Sequence, residues 1–498
     1  MIGLSLEPAA RLLRSSLSGL AGALLLSCCF PAQAADWEAL RKLQAGGALI
    51  SAQAVDLDKD AVIEQLNAAD RLTPASLTKL VTAAAALDVW AADKAFQTRL
   101  LGVGPFKNGT INGDLVLQGG GDSTFDHLAL WSLAAQLKST GVTTIDGRLL
   151  VNTAPFGPLG CETKDRCDAL QRSDTAYNAP LAAVAVDYGN WCVDVRPTGI
   201  GSPAVVSTCG MAQAPIPVQG GIRTVGAAAK PTFWVERVTQ PDGEVLRVGG
   251  DVPLNGTVSV FRAMADPALG TGLMLREVLR EIGIAVTGTV DVVHTPSPIN
   301  AYPLATNEGL SLKEQLGRML RFSNNYVADM LTLNLAASQR GQAPAQLSDA
   351  GRALSEYVLR TKAAARTGKL TPPLLYSGSG LTPENELSAE DLTTVLAAQY
   401  RNTRNFPAFY GSLVVPRQAP FAFLRVGSPE WLDRVALKPG TMDDPHSVCG
   451  IAGYLRKKDG GWMAFAAIVN GGPRMRHVPL YKSMEAIRAD VDSLLARY

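Results

Sequence analysis

The stretch RLTPASLTKLVTAAAALDVW, Arg71 to Trp90, decides how this chain is read. Pro74 and Ser76 mark a helix start, because proline suits a first turn and serine a cap. The run from Leu80-Val81 to Ala86-Leu87 is apolar, so the helix is buried. Lys79 sits badly in it. It lies one turn after Ser76 on the same face, where a cation meets the positive end of the helix macrodipole. A lysine buried beside a serine is costly when charged, and that cost favours a neutral amine able to act as a base.

Two more short motifs lie far downstream. Ser323-Asn324-Asn325 falls between helices expected over Ser311 to Arg321 and Tyr326 to Ala337. Lys438-Pro439-Gly440-Thr441 follows an apolar strand, Arg434 to Leu437. A helix over Ser348 to Arg360, a strand over Trp462 to Val469 and a final helix over Met484 to Arg497 complete that end. Met484, Ile487, Val491, Leu494 and Leu495 form a stripe that reads as a face packed on a sheet rather than a membrane anchor. Upstream of Arg71, a short helix over Asp36 to Leu43 precedes a hairpin from Ala48 to Asp70 turning at Asp58-Lys59-Asp60. Asp56, Asp58 and Asp60 suggest a calcium loop, but Ala61 stands at the glycine position and Asn67 at the glutamate position, so a solvated turn is expected.

Between Thr98 and Val293 the texture is strand and turn: Asp114-Leu115-Val116-Leu117, Leu149-Leu150-Val151, Val193-Asp194-Val195 and Thr257-Val258-Ser259-Val260, separated by glycine and proline. One amphipathic helix interrupts it, near Pro267 to Ile282. GGGDSTF, Gly119 to Phe125, lacks the Gly-Lys-Ser/Thr of a phosphate loop and reads as a glycine turn. The expected organisation is an α/β (α+β) domain over 35–97 and 300–498, split by a β-rich insertion over 98–299. Two nested parts are expected within it, 98–150 with 222–299, and 151–221.

The bulk numbers fit. At 498 residues the chain exceeds one ordinary core. Lys plus Arg (46) and Asp plus Glu (45) nearly cancel, which argues against a general nucleic-acid surface. Arg11 and Arg14, the apolar segment Leu17 to Phe30 and Ala32-Gln33-Ala34 form an export signal over 1–34, with lipidation at Cys28 as the lesser alternative. In an oxidising compartment Cys161 with Cys167, and Cys192 with Cys209, are plausible local disulfides, though sequence leaves the pairing open; Cys449 is left over. His127, His294, His446 and His477 are scattered, so no zinc site and no cofactor are expected.

S-x-x-K at Ser76, S-x-N at Ser323 and a K-T-G-like strand end at Lys438 occur together in penicillin-binding proteins and β-lactamases. TPASLTKLVTAAAAL, YNAPLAAVAVDYGNWCVDVRP (Tyr177 to Pro197), FSNNYVADML (Phe322 to Leu331), GSGLTPENELSAEDL (Gly378 to Leu392) and KPGTM with GIAGYL resemble the class C penicillin-binding proteins, periplasmic D-alanyl-D-alanine carboxypeptidases and endopeptidases. The 247 residues from Ser76 to Ser323 match that family's large insertion. The resemblance implies the serine penicillin-recognising transpeptidase-like fold. It also implies Ser76 as nucleophile, Lys79 as base, Ser323 as proton relay and Asn325 as a hold on the substrate carbonyl. Lys438, Gly440 and Thr441 would bind substrate. The implied partners are peptidoglycan stem peptides ending in D-Ala-D-Ala, with β-lactams as covalent inhibitors. A peripheral membrane or divisome contact is left open.

Three positions depart from the family pattern. Pro439 replaces the threonine of K-T-G, Ser377 stands where Asp or Asn precedes G-S-G, and Pro383 stands where arginine is common. Pro439 removes a hydroxyl that helps hold the substrate carboxylate, and as a proline it fits only an edge or bulged strand. The alternative function is therefore a non-catalytic or weakly active wall-binding homologue. A β-lactamase would need a deacylating glutamate, and Glu384-Asn385-Glu386-Leu387 fits the segment after G-S-G instead. Cys449 and His446 suggest a reactive pair, against which a buried small thiol is the preferred reading.

Overall fold

The computed structural model describes residues 37–161, 163–172, 174–340, 346–368 and 370–498. The expected export signal over 1–34 and Cys28 lie outside them. The two ends of the chain meet in one antiparallel sheet, ordered Ala61–Leu66, Leu49–Asp56, Trp462–Asn470, Val448–Arg456, Val435–Met442. Its central strands are apolar at almost every position because both faces are covered. Ile50, Phe465 and Val469 pack on one face against Trp431, Ile487 and Val491. Ala464, Ala466 and Ile468 point the other way, into a core shared with Leu80, Leu331 and Leu392.

The terminal helix Leu480–Arg497 buries the expected stripe, Met484, Ile487, Val491, Leu494 and Leu495, in the first of these cores. Its Asp490 carboxylate accepts from the Ala39 and Leu40 amides at 3.0 and 2.9 Å. That satisfies free N–H groups at the start of the Glu38–Ala45 helix and ties the two ends of the chain together. The turn at Asp58-Lys59-Asp60 is exposed, as expected; what local reading lacks is the anchoring of its base. Asp56 is buried and clasped by Lys457 Nζ at 3.0 and 3.1 Å, and Asp58 pairs with the same amine at 2.8 Å. A partner 401 residues from Asp56 is invisible to local reading.

The second sheet runs Val290–Val293, Leu149–Asn152, Leu115–Gln118, Gln97–Gly102, Tyr302–Glu308. Its last two strands are antiparallel, with Gln97 opposite Glu308 and Gly102 opposite Tyr302, so the chain leaves and returns on adjacent strands. Two helices cover it, His127–Ser139 and Pro267–Glu281, through Leu130, Leu133, Leu137, Met274 and Val278. Beyond it lie small sheets that pair Asn190–Arg196 with Val205–Thr208 and Val258–Ala263, and Gly243–Gly249 with Val218–Gly220 and Trp234–Gln240. The disulfides are Cys161–Cys167 and Cys192–Cys209.

Several elements correct the sequence reading. His127–Ser139 and Lys164–Gln171 are helices inside what reads as strand and turn. Val448–Arg456, a buried central strand, and the helix Ala389–Arg401 are also additions. Among the described residues no helix is long and apolar enough to cross a membrane.

Candidate active site

Ser76 does not cap a helix as expected. It sits inside a 3-10 turn, Ala75–Leu77, that runs into the helix Thr78–Val89. Ala75 takes φ 46°, the left-handed region that costs a non-glycine residue about 1 kcal/mol or more. Two glycines press on this turn. A Cβ on Gly380 (φ 68°) would lie 1.9 Å from the Ala75 carbonyl, and one on Gly440 would lie 3.1 Å from the Ser76 amide nitrogen. The turn is therefore wedged between the Ser377–Gly380 loop and the edge strand Val435–Met442, leaving Ser76 half-buried at the floor of a cleft.

Lys79 is fully buried one turn on. Its Nζ donates to Ser76 Oγ at 2.9 Å, Asn325 Oδ1 at 2.7 Å and the Ser379 carbonyl at 2.6 Å. None of these acceptors is anionic. Burial pulls the amine down to about 7, opposed by the charge of Asp329 and aided by that of Arg166. The sequence points to burial and the helix terminus as causes. The structure makes the burial complete and supplies Arg166 as the assisting cation.

The Ser323-Asn324-Asn325 turn divides its labour. Asn324 Oδ1 accepts from the Val327 amide at 3.0 Å and so caps the helix Asn325–Arg340. That leaves its two neighbours for the cleft. Ser323, held at φ 56°, accepts from Lys438 Nζ at 2.9 Å. Asn325 accepts from Lys79 through Oδ1, and its Nδ2 donates to the Tyr177 carbonyl at 3.3 Å. Lys438 is also fully buried, and its Nζ donates to the Pro439 carbonyl at 2.6 Å. Burial and the nearby Lys79 both push its amine well below the ordinary lysine range. Pro439 lies in register opposite Ile451 on the sheet's edge strand, the position a proline tolerates.

The structure thus brings Ser76, Lys79, Ser323, Asn325, Lys438, Gly440 and Thr441 to one place. Ser76, Ser323, Asn325 and Thr441 line a cleft of about 690 Å³, which Lys164 and Asp165 of the helix Lys164–Gln171, and Arg172 just after it, also line. Ser377 and Pro383 brace the loop: the Ser377 hydroxyl accepts from the Gly380 amide at 3.3 Å, and the Pro383 carbonyl accepts from Thr73 Oγ1 at 3.0 Å. Cys449 is buried beneath the terminal helix, its thiol pushed up to about 12 by burial, as the preferred reading expects.

Sequence reading missed two contributors. Asp329 Oδ1 accepts from the Ser379 amide at 2.8 Å, and its Oδ2 pairs with Arg166 Nη2 at 2.5 Å. Asp329 stands four residues after Asn325 on one helix face, a signal that was available. Arg166 comes from the middle of the chain and has no local mark.

Comparison with known proteins places this geometry in context. The model of the D-Ala-D-Ala carboxypeptidase 3 (S13) family matches residues 33–496. The D-alanyl-D-alanine carboxypeptidase of Actinomadura sp. (strain R39) is 29% identical over 444 residues, covering 85% of this chain and 78% of that one. The D-alanyl-D-alanine carboxypeptidase DacB of Haemophilus influenzae is 24% identical over 427 residues, covering 84% of each. The crystal structure of penicillin-binding protein 4 (dacB) from Haemophilus influenzae superposes with a TM-score of 0.73 at 22% identity, over 92% of this chain and 99% of that one. The same protein complexed with a β-lactam gives 0.68 at 21% identity, with the same coverage.

Proposed function

This chain belongs to the D-Ala-D-Ala carboxypeptidase 3 (S13) family, and on that premise we propose that it is a periplasmic serine-type peptidase that cleaves peptidoglycan stem peptides ending in D-Ala-D-Ala through an acyl-enzyme on Ser76. The observation that carries this reading is the Lys79 amine: fully buried, bonded to Ser76 Oγ at 2.9 Å and pulled down to about 7. An alcohol is a poor nucleophile until a base takes its proton, and a neutral amine within hydrogen-bond reach is such a base.

Ser76 Oγ attacks the carbonyl of the penultimate D-alanine while its proton passes to Lys79. The amides of Ser76 and Thr441 hold the developing oxyanion; the close approach of Gly440 to the Ser76 amide supports that placement. Lys438 and the Thr441 hydroxyl attract the terminal carboxylate. The proton taken by Lys79 is relayed through Ser323, bonded to Lys438 at 2.9 Å, to the departing D-alanine amine as the C–N bond breaks, which leaves Lys79 neutral again. Water then attacks the ester, the neutral Lys79 takes its proton and hands it to Ser76 Oγ as the ester C–O bond breaks, and Ser76 is released. A β-lactam enters by the same attack and stays as an ester; the β-lactam complex of the Haemophilus influenzae protein supports this extension.

The test is release of free D-alanine from a peptide ending in D-Ala-D-Ala. Wild type releases it, and Ser76→Ala and Lys79→Ala fall to background. Release by Ser76→Ala at the wild-type rate would refute the assignment. No release by folded wild type would favour the binding-protein alternative, to which the loss of the K-T-G threonine at Pro439 points.

A further inference from the structure

Behind the reacting groups lies a buried ion pair that the mechanism above does not use. Arg166 is 2% exposed and Asp329 1%. The guanidinium reaches three partners. Nη1 donates to the Ala179 carbonyl at 2.5 Å, and Nη2 donates to Asp329 Oδ2 at 2.5 Å and approaches the Asn325 carbonyl at 3.5 Å. Asp329 Oδ1 accepts from the Ser379 amide, whose residue's carbonyl in turn accepts from Lys79 Nζ. Two of the three acceptors around the Lys79 amine, Asn325 and Ser379, are therefore tied to the pair through the backbone. Arg166 rides on an eight-residue helix from the insertion, beside the Cys161–Cys167 disulfide.

We infer that Arg166 and Asp329 are positioning residues for the Ser76 reaction: the pair fixes Asn325 and Ser379 where they grip Lys79, and its two opposite charges together decide how readily that amine gives up its proton. This makes the insertion a working part of the active site. The inference rests on Lys79 being the base for Ser76.

The charges that face Lys79 come from three elements. The helix Asn325–Arg340 brings Asp329, the helix Lys164–Gln171 brings Arg166 with Asp165 beside it, and the edge strand brings Lys438. The Ser377–Gly380 loop offers Lys79 the Ser379 carbonyl. The Tyr326 phenol lies close enough to Arg166 to feel its charge. Asp329 holds the proton on Lys79 and Arg166 drives it off. Removing either charge alone leaves its partner buried and unopposed, so the two single variants act in opposite directions.

The experiment is the rate of acylation by a chromogenic β-lactam, followed across roughly pH 5 to 10. In Arg166→Met the rising limb moves up by about one pH unit, and in Asp329→Asn it moves down by a similar amount. In the double variant, which leaves no buried charge, it returns to within about a quarter unit of wild type. At pH 7 the upward move alone lowers the neutral fraction of Lys79 about five-fold. Limbs that stay in place, or move the same way in both single variants, overturn the inference. Should a single variant fail to fold, Arg166→Lys and Asp329→Glu keep both charges; they should leave the limb in place and lower the plateau rate. A moved limb or an unchanged plateau in these variants overturns the inference as well. Wild type that is acylated at no pH would refute the acyl-enzyme reading itself, whereas acylated wild type with unmoved limbs refutes only the role of the pair.

Discussion

Gly440→Ala tests whether the edge strand and the Ser76 turn work as one unit. A Cβ at 440 would sit 2.8 Å from the Pro74 carbonyl oxygen and 3.1 Å from the amide nitrogens of both Ser76 and Leu77. All three atoms are backbone, so no side chain can swing aside. Relief to an ordinary contact of 3.4 Å requires about 0.6 Å of separation between strand and turn. The strand carries Lys438 and Thr441, and the turn carries Ser76, so the separation opens the proposed oxyanion site from both sides. A misplacement of about 1 Å costs on the order of 100-fold in rate. The expected loss in acylation is therefore between about 10-fold and 100-fold. Overpacking costs stability too, about 1 to 3 kcal/mol. The assay is burst acylation by a chromogenic β-lactam at fixed pH, with a thermal melt of each protein. Gly317→Ala is the control, because a Cβ there meets nothing within 4 Å. Gly440→Ala with acylation within about three-fold of wild type would refute the claim that this contact sets the geometry.

The acylation rate of wild type should rise about ten-fold between pH 6 and pH 8, as the neutral fraction of Lys79 climbs from about a tenth to about nine-tenths; a flat profile would remove Lys79 as the base. The same amine carries a stability signature. Its folded value, about 7, lies below the ordinary lysine range, so between the two the unfolded chain binds more protons and stability from this group rises with pH. Lys79→Met should accordingly melt higher than wild type at pH 7 while losing acylation, and a lower melt would contradict the burial argument. Pro439→Thr restores a hydroxyl beside Lys438 and should raise acylation by D-Ala-D-Ala peptides, measured as the single-turnover rate; an unchanged or lower rate counts against it. Iodoacetamide should leave Cys449 unmodified in native protein, since burial holds its thiol up at about 12; labelling at the rate of a free thiol would contradict that.

The parts of the site that were legible in the sequence are those whose chemistry is local. Ser76 and Lys79 share one helical turn, and Ser323 with Asn325 share a helix start, so their spacing carries the geometry. The missed strand, Val448–Arg456, shows why other parts were not. Its VCGIAGYLR has two glycines that lower any strand signal. The structure requires both: a Cβ on Gly450 would meet Leu77 Cδ1 at 2.7 Å, and one on Gly453 would meet the Ala436 carbonyl at 2.1 Å. Tight packing against the Ser76 turn and the edge strand thus hid the strand that supports them. The helix His127–Ser139 is a different case. Its Asp126 cap and its leucines at 130, 133 and 137 were readable signals within a segment dominated by strand texture. Arg166 was illegible for a third reason, since its partner lies 163 positions away.

The central claim is that Ser76 is a working nucleophile. The most direct measurement is the intact mass of the purified protein after incubation with benzylpenicillin, with Ser76→Ala alongside. The account predicts wild type heavier by one whole antibiotic molecule, the adduct mapping to the peptide that contains Ser76, and an unmodified Ser76→Ala protein. Folded wild type with no adduct, or an adduct that survives Ser76→Ala, would contradict it.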